Sequence, residues 1–499
     1  MDTSLKTDAI EFFSPVWQGS AVREVTEEIV VPDTMEDAGT ILDASCVLTM
    51  RGKETTQAAV ELSAELSVSV ILVPETGSGL RSLDFMLPAD MRLDAAGVDM
   101  DCRTVTRVRV RSLEARLQNS RKIRVRAELE AEAACYRRDC LRIANGMDTE
   151  DGSVHLRRET AAAVVVSDVR EKTFALTDEF TVPVSVGEDP HILSRRVEIV
   201  TDDVQYVGGK VLFRGCVRTE LFMTERTSDR TAVGRYETEF SQLMEIDADG
   251  EDAVPEVRLF LTGAYFDLPE SGRSGSIQAE LHLAAQCICR ERRSISYISD
   301  LYSNRTELAA EHVTLSFVQG SDQVVLRQTV AERIEGAEKD AELLQSTSAV
   351  GTLTQENGAV RTSVLVRLLY RMPNGDYSTA QGRLPAEFTL PDASPEEMLR
   401  DANVTVTDVY CVQGTGDVRV SMRLDAVAEK TTEISCVSSV REDADAWKER
   451  ERTPSAVLMR VPEGTDLWGV ARQCHSTVED ILAVNEGRNS GLLLIPKGR

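Results

Sequence analysis

Arg124-Val125-Arg126-Ala127-Glu128-Leu129-Glu130-Ala131-Glu132-Ala133-Ala134-Cys135 alternates small or apolar residues with charged ones at a period of two. In a β-strand successive side chains point to opposite faces, so this spacing predicts a strand with one buried and one polar face. The apolar set Val125, Ala127, Leu129, Ala131, Ala133, Cys135 returns 152 residues later as Ile277, Ala279, Leu281, Leu283, Ala285, Cys287. A further shift of 143 gives Val420, Met422, Leu424, Ala426, Ala428. Strict alternation over so many positions is the mark of half-buried antiparallel sheets. The expected fold class is mainly β.

A second anchor has nearly the same period. Pro32 precedes Ile41-Leu42, Pro183 precedes Ile192-Leu193 at the same spacing, and Leu343-Leu344 follows after another 151 residues, with Ile334 where the proline would stand. The body therefore reads as three tandem β-rich, sandwich-like modules at roughly 20–150, 155–305 and 308–440, the third shorter and most diverged. Hairpins are expected at Thr76-Gly77-Ser78-Gly79, Ser271-Gly272-Arg273-Ser274-Gly275 and Pro373-Asn374-Gly375-Asp376, where glycine or asparagine supplies positive φ. Short helices are expected at the Ile-Leu anchors, as in Lys339-Asp340-Ala341-Glu342-Leu343-Leu344, and at Ser394-Pro395-Glu396-Glu397-Met398-Leu399. The charged run within 441–457 reads as a solvated linker.

Composition narrows the function classes. A chain of 499 residues exceeds one core, and 42% apolar residues suffice for a globular protein. Its 83 acidic against 56 basic residues give a formal charge of −27, which argues against nucleic-acid or anionic-lipid partners. A local basic patch such as Arg107-Val108-Arg109-Val110-Arg111 could meet an acidic partner, but the favoured reading is an exposed strand face with solvated charges. Met1 to Asp8 has no basic region followed by an apolar one, and no apolar run reaches the length of a membrane span, so a cytoplasmic protein is expected. The ten cysteines have no paired CxxC, and Cys287 and Cys289 fall on the apolar side of a strand, as small core residues. No metal, cofactor or catalytic constellation is expected: none of His155, His191, His282, His312 and His475 is framed by a hydrolase or metalloprotease motif.

The last 42 residues change period. Leu458, Met459 and Val461 fit a short strand, Gly464 a turn, and Thr465 or Asp466 a helix cap. Leu467, Val470, Ala471 and Cys474 share one helical face; Ser476 to Glu479 reads as a capping box opening a second helix with Val478, Ile481 and Leu482 inward. Leu493-Leu494-Ile495 closes with a strand before Pro496, giving the order βααβ over 458–499.

This tail resembles a LysM module, on Gly464, Leu467, Trp468, Ala471, Ile481, Asn485, Ile495 and Pro496. The resemblance implies a binding groove at Gly464, Thr465, Asp466, Leu467 and around Asn485, over a core of Trp468, Ala471, Ile481 and Ile495. Thr465-Asp466 inverts the family's usual order and the stretch after Asn485 is shorter than usual. For Trp468 two roles stay open, closing the small core or stacking on a ligand, and the first is favoured. The body resembles the SPOCS-type domains of bacterial spore-coat and spore-envelope morphogenetic proteins. That similarity rests on the Ile-Leu segments, on Gly208-Gly209-Lys210-Val211 with its acidic hairpin (Glu239-Phe240 into Leu243-Met244-Glu245-Ile246), and on Asp300-Leu301-Tyr302-Ser303. It implies a non-enzymatic scaffold of the spore envelope on the mother-cell side, whose LysM tail docks a coat morphogenetic protein. The alternative is a peptidoglycan- or N-acetylglucosamine-polymer-binding wall protein. Self-association through sheet edges is a further expectation.

Overall fold

In the computed structural model the chain is described over residues 4–497 apart from 148–152, 188, 227, 229, 249, 251, 270–274, 305, 337–339, 357, 391–396, 413–415 and 443–454. It is mainly β and contains several sheets. The first strands are β1 (Leu5–Val30), β2 (Ala38–Thr56), β3 (Ala59–Pro74), β4 (Arg81–Pro88), β5 (Met91–Asp94), β6 (Arg103–Asn119) and β7 (Lys122–Met147). Next come β8 (Val154–Thr181), β9 (Pro190–Val207), β10 (Lys210–Glu225), β11 (Thr231–Glu245), β12 (Val254–Asp267) and β13 (Ser276–Ser303). These are followed by β14 (Leu308–Arg333), β15 (Glu342–Val350), β16 (Thr354–Glu356), β17 (Ala359–Arg371), β18 (Tyr377–Thr389), β19 (Glu397–Cys411) and β20 (Asp417–Glu442).

One pairing order occurs three times. In each stretch the opening strand pairs with the last, and the last with the one before it: β1-β7-β6, β8-β13-β12 and β14-β20-β19. The intervening strands form a second sheet, β2-β3-β4, β9-β10-β11 and β15-β17-β18. The two sheets of each stretch share a core. In the first, Val60, Leu66 and Val70 of β3 pack with Val125, Ala127 and Leu129 of β7; in the third, Val364 and Leu368 of β17 pack with Val418 to Leu424 of β20. The alternating residues read from sequence are the inward ones in the first two copies, where Val125, Ala127, Leu129, Ala131, Ala133, Cys135 and Ile277, Ala279, Leu281, Leu283, Ala285, Cys287 are at most 3% exposed; in the third the pattern holds from Val420 to Ala426 and fails at Ala428, which is half-buried between buried Val427 and Glu429. The first set begins at Leu5 rather than near residue 20, because β1 pairs along its whole length with β7.

The Ile-Leu anchors are strands, not helices. Ile41 pairs with Leu72 and Asp43 with Ile71, leaving Leu42 as an extra residue; Ile192 pairs with Met223 and Ser194 with Phe222, leaving Leu193; Leu343 pairs with Tyr370 and Gln345 with Leu369, leaving Leu344. Each is a β-bulge, which bends the strand and re-aims a side chain. The three bulged leucines converge with Ile71, Phe222 and Leu369 in one cluster, so the three strand sets meet at a common centre. Helix-favouring Glu342-Leu343-Leu344 yields to this packing, as local propensity does when burial opposes it. Glu397 to Leu399 begins β19, also a strand, while residues 394–396 and 339 of those expected helices lie outside the described residues, as do 271–274 and most of the expected linker. Pro32 and Pro183 occupy the β1–β2 and β8–β9 connections, and Gly375 turns the β17–β18 hairpin at φ 90°.

The basic stretch is not a solvated face. Arg107, Arg109 and Arg111 on β6 are 19%, 24% and 21% exposed and pair with Glu132, Glu130 and Glu128 across on β7. Arg107 also approaches a buried charge network contributed by two other strand sets: Arg258 and Arg290 hold Glu256 at 2.8 and 2.7 Å, Arg258 also meets Asp401, and Arg400 meets Glu429. Sequence reasoning placed these charges in water because it had no view of the neighbouring sheet. Cys287 and Cys289 are buried in the second core, where desolvation pushes both thiols up.

Candidate functional site

The tail comprises β21 (Ala456–Val461), α1 (Leu467–Cys474), α2 (Val478–Val484) and β22 (Gly491–Pro496). β21 and β22 pair antiparallel, with Leu458 opposite Leu494 and Arg460 opposite Leu492. Gly464 turns the chain at φ 83°, a conformation that disfavours any side chain. Asp466 caps α1, accepting the Trp468 backbone N–H at 3.1 Å. Thr477, one residue later than the expected serine, caps α2 by accepting the Asp480 N–H at 2.9 Å, while Ser476 is buried.

The five expected groove residues do not form one open groove. Gly464 and Thr465 are exposed. Asp466 is ion-paired with Arg157 of β8, and its carboxyl is held below the usual range first by the Trp468 backbone N–H and then by Arg157. Leu467 is 8% exposed and lies in the tail's core. Asn485 is 4% exposed and serves as a clamp: its Nδ2 donates to the Ile481 and Leu494 carbonyls, both at 2.7 Å, and its Oδ1 accepts the Leu494 N–H at 2.9 Å. Both amide hydrogens and one lone pair of the oxygen are thus spent inside the tail. Ala471, Ile481 and Ile495 are core residues at 0–1% exposure.

Trp468 does more than close the small core. Its indole N–H donates to Asp300 Oδ2 at 2.8 Å, and its ring meets Tyr302 edge-on at 4.8 Å between centroids. Tyr302, at the end of β13, is itself part of the tail's core cluster and donates its hydroxyl to the Ser476 carbonyl at 3.0 Å. Burial is the main cause that pushes its phenol up to about 12. Arg472 adds bonds of 2.8 and 2.9 Å to the two Asp300 oxygens. The tail is thus fastened to β8 and β13 by an aromatic pair, a shared carboxylate and a second ion pair.

The tail also leaves apolar surface open. Leu458, Leu492 and Leu494 are 62%, 60% and 39% exposed. Directly opposed residues of an antiparallel pair point to the same side, so the three leucines share the outer face of the β21–β22 ribbon. Sequence reading missed this face. The signal was the alternation Leu492-Leu493-Leu494-Ile495, in which 493 and 495 point inward.

Among the described residues no group of three or more His, Cys, Asp or Glu is placed to hold a metal ion, and no helix is long and apolar enough to cross a membrane. No protein-family model, no curated protein and no solved structure matches this chain.

Proposed function

We propose that the protein is a non-enzymatic scaffold made of three copies of one β module, carrying a LysM-like tail that docks a partner protein. The setting proposed is assembly of a bacterial spore envelope, with a coat morphogenetic protein as partner, and it rests on the sequence resemblance of body and tail to that family. The observation that carries the docking role is the outward leucine face of the β21–β22 ribbon, on a tail held in a fixed orientation by Asp300. Exposed leucines on a two-stranded ribbon suit burial against another protein, since apolar surface contributes about 25 cal/mol per Å² removed from water. The glycan alternative has less support. Of its groove residues Asp466 is engaged by Arg157, and Leu467 and Asn485 are buried.

The full-length chain as bait, in a sporulating-cell lysate and in parallel on purified peptidoglycan, tests the reading. The expected result is a protein partner retained by the native chain and lost by Leu458→Ser/Leu494→Ser, without retention on peptidoglycan. Peptidoglycan retention that survives the leucine changes overturns the docking role.

A further inference from the structure

The buried hydrophobic side chains that the tail supplies to its own core, from Val461 on β21 to Ile495 on β22, are all aliphatic. The one buried aromatic ring in that cluster is Tyr302, and it belongs to β13 of the body. Tyr302 is 5% exposed. Its hydroxyl donates to the Ser476 carbonyl, in the connection between α1 and α2, and its ring is the one that Trp468 meets edge-on. Leu493 and Ile495, the inward residues of β22, lie in the same cluster. Their neighbours Leu492 and Leu494 form the outward leucine face, so one strand joins the two surfaces.

The seat that presents Tyr302 is made by two strands. Arg157 of β8 holds Asp466, while Asp300 of β13 holds Trp468 and Arg472. Asp300 pairs with Arg157 in the β8–β13 ladder, and Tyr302 pairs with His155, whose ring lies 5.1 Å from the tyrosine ring between centroids. The seat is therefore assembled when the opening strand of the second set pairs with its closing strand.

A segment of about 40 residues is near the lower limit for folding alone. Loss of a large buried ring from so small a core is of the same order as its whole stability. We propose that the tail folds only when seated, with Tyr302 completing its core, so that closure of the second strand set switches on the leucine face. The consequence for partner binding rests on the docking role proposed above; the coupling of seating to folding does not.

Hydrogen exchange on the full-length protein, native and Tyr302→Ala, tests the coupling with no partner present. Without the ring, amides of α1, α2 and β22 should exchange faster together, by about a hundred-fold, as one cooperative unit does, while β1 and β7 keep their protection. Tyr302→Phe keeps the ring and removes only the bond to Ser476, and should stay within about ten-fold of the native protein. Because Tyr302→Ala also alters β13, the double variant Arg157→Gln/Asp300→Ala is measured beside it. Within the tail those two residues bond only to Asp466, Trp468 and Arg472, yet α2 and β22 should exchange faster along with α1. Native protection of α2 and β22 in Tyr302→Ala, or in the double variant while α1 exchanges faster, shows a tail that folds unaided and overturns the proposal. A Tyr302→Phe protein as unprotected as Tyr302→Ala also overturns it. Either failure leaves the leucine face as a docking surface untouched, and failure to find a protein partner leaves the coupling untouched.

Discussion

Asp300 accepts the indole N–H of Trp468 at 2.8 Å, so a carboxylate near the end of β13 fixes the ring that marks the tail. The same carboxylate holds Arg472, and its side chain is 20% exposed. Asp300→Ala should loosen the tail from the body by about 1–2 kcal/mol, the range for bonds to a charged group discounted for the half-exposed arginine. Hydrogen exchange in Leu467–Cys474 is the measurement: amides in α1 should exchange several-fold faster while those of β13 before Asp300 keep their protection.

Asn485→Ala should unfold the tail selectively. It leaves the Leu494 N–H and two carbonyls without their side-chain partner in a buried site, a loss of about 2–3 kcal/mol. A module of about 40 residues has little stability to spare. Two-dimensional NMR or hydrogen exchange should show β22 protection lost and the body unchanged. Binding of a partner through the ribbon should be lost with it.

The bulged leucines differ in burial, and their truncation should differ accordingly. Leu193 is fully buried, whereas Leu42 and Leu344 are partly buried. Leu193→Ala should lower unfolding free energy by about 2–5 kcal/mol and the other two by less. Because all three share one cluster, pairs should depart from additivity by at least 0.5 kcal/mol in denaturant titrations, as contacting residues do.

Acid should act on the buried network before it acts on the cores. Burial alone would raise the Glu256 carboxyl, but Arg258 and Arg290 more than offset this and lower it to about 2. A carboxylate depressed in the folded state stabilises it fully above its unfolded value and loses that contribution as pH falls through the folded one. Between pH 4.5 and 2 the native protein should therefore lose stability steeply. Glu256→Gln, less stable by about 3–5 kcal/mol at neutral pH, should show a flatter profile over that window in thermal melts. Parallel profiles would rule out Glu256 as the acid-sensitive group.

Much of this architecture was written in the alternation of Val125 to Cys135 and its two shifted copies, because a strand with one fully buried face must alternate. The Ile-Leu anchors were legible as a repeat but not as bulges. A bulge is defined by the partner strand, and Glu342-Leu343-Leu344 taken alone favours a helix. The arginines of β6 misled for the same reason: their carboxylate partners stand on β7 and their cover comes from strands more than 100 residues away. In the tail, the Asp466 cap and the core residues followed from local spacing, whereas the cap of α2 fell one residue later than read, at Thr477. Trp468's tie to Asp300 and Tyr302 could not, since both lie over 160 residues earlier in the chain.

The pairing of each opening strand with its closing one bears on how the chain is made. Leu5 meets Met147 and Val154 meets Ser303, so the first strand of each set must wait for nearly the whole set to be synthesised before it finds a partner. At about 5–20 residues per second that wait lasts roughly 7–30 seconds. During it, a strand of 26 residues has no ladder to join. β1 carries seven charges (Lys6, Asp8, Glu11, Arg23, Glu24, Glu27, Glu28), and charges of this kind on an unpaired strand disfavour pairing with a wrong neighbour.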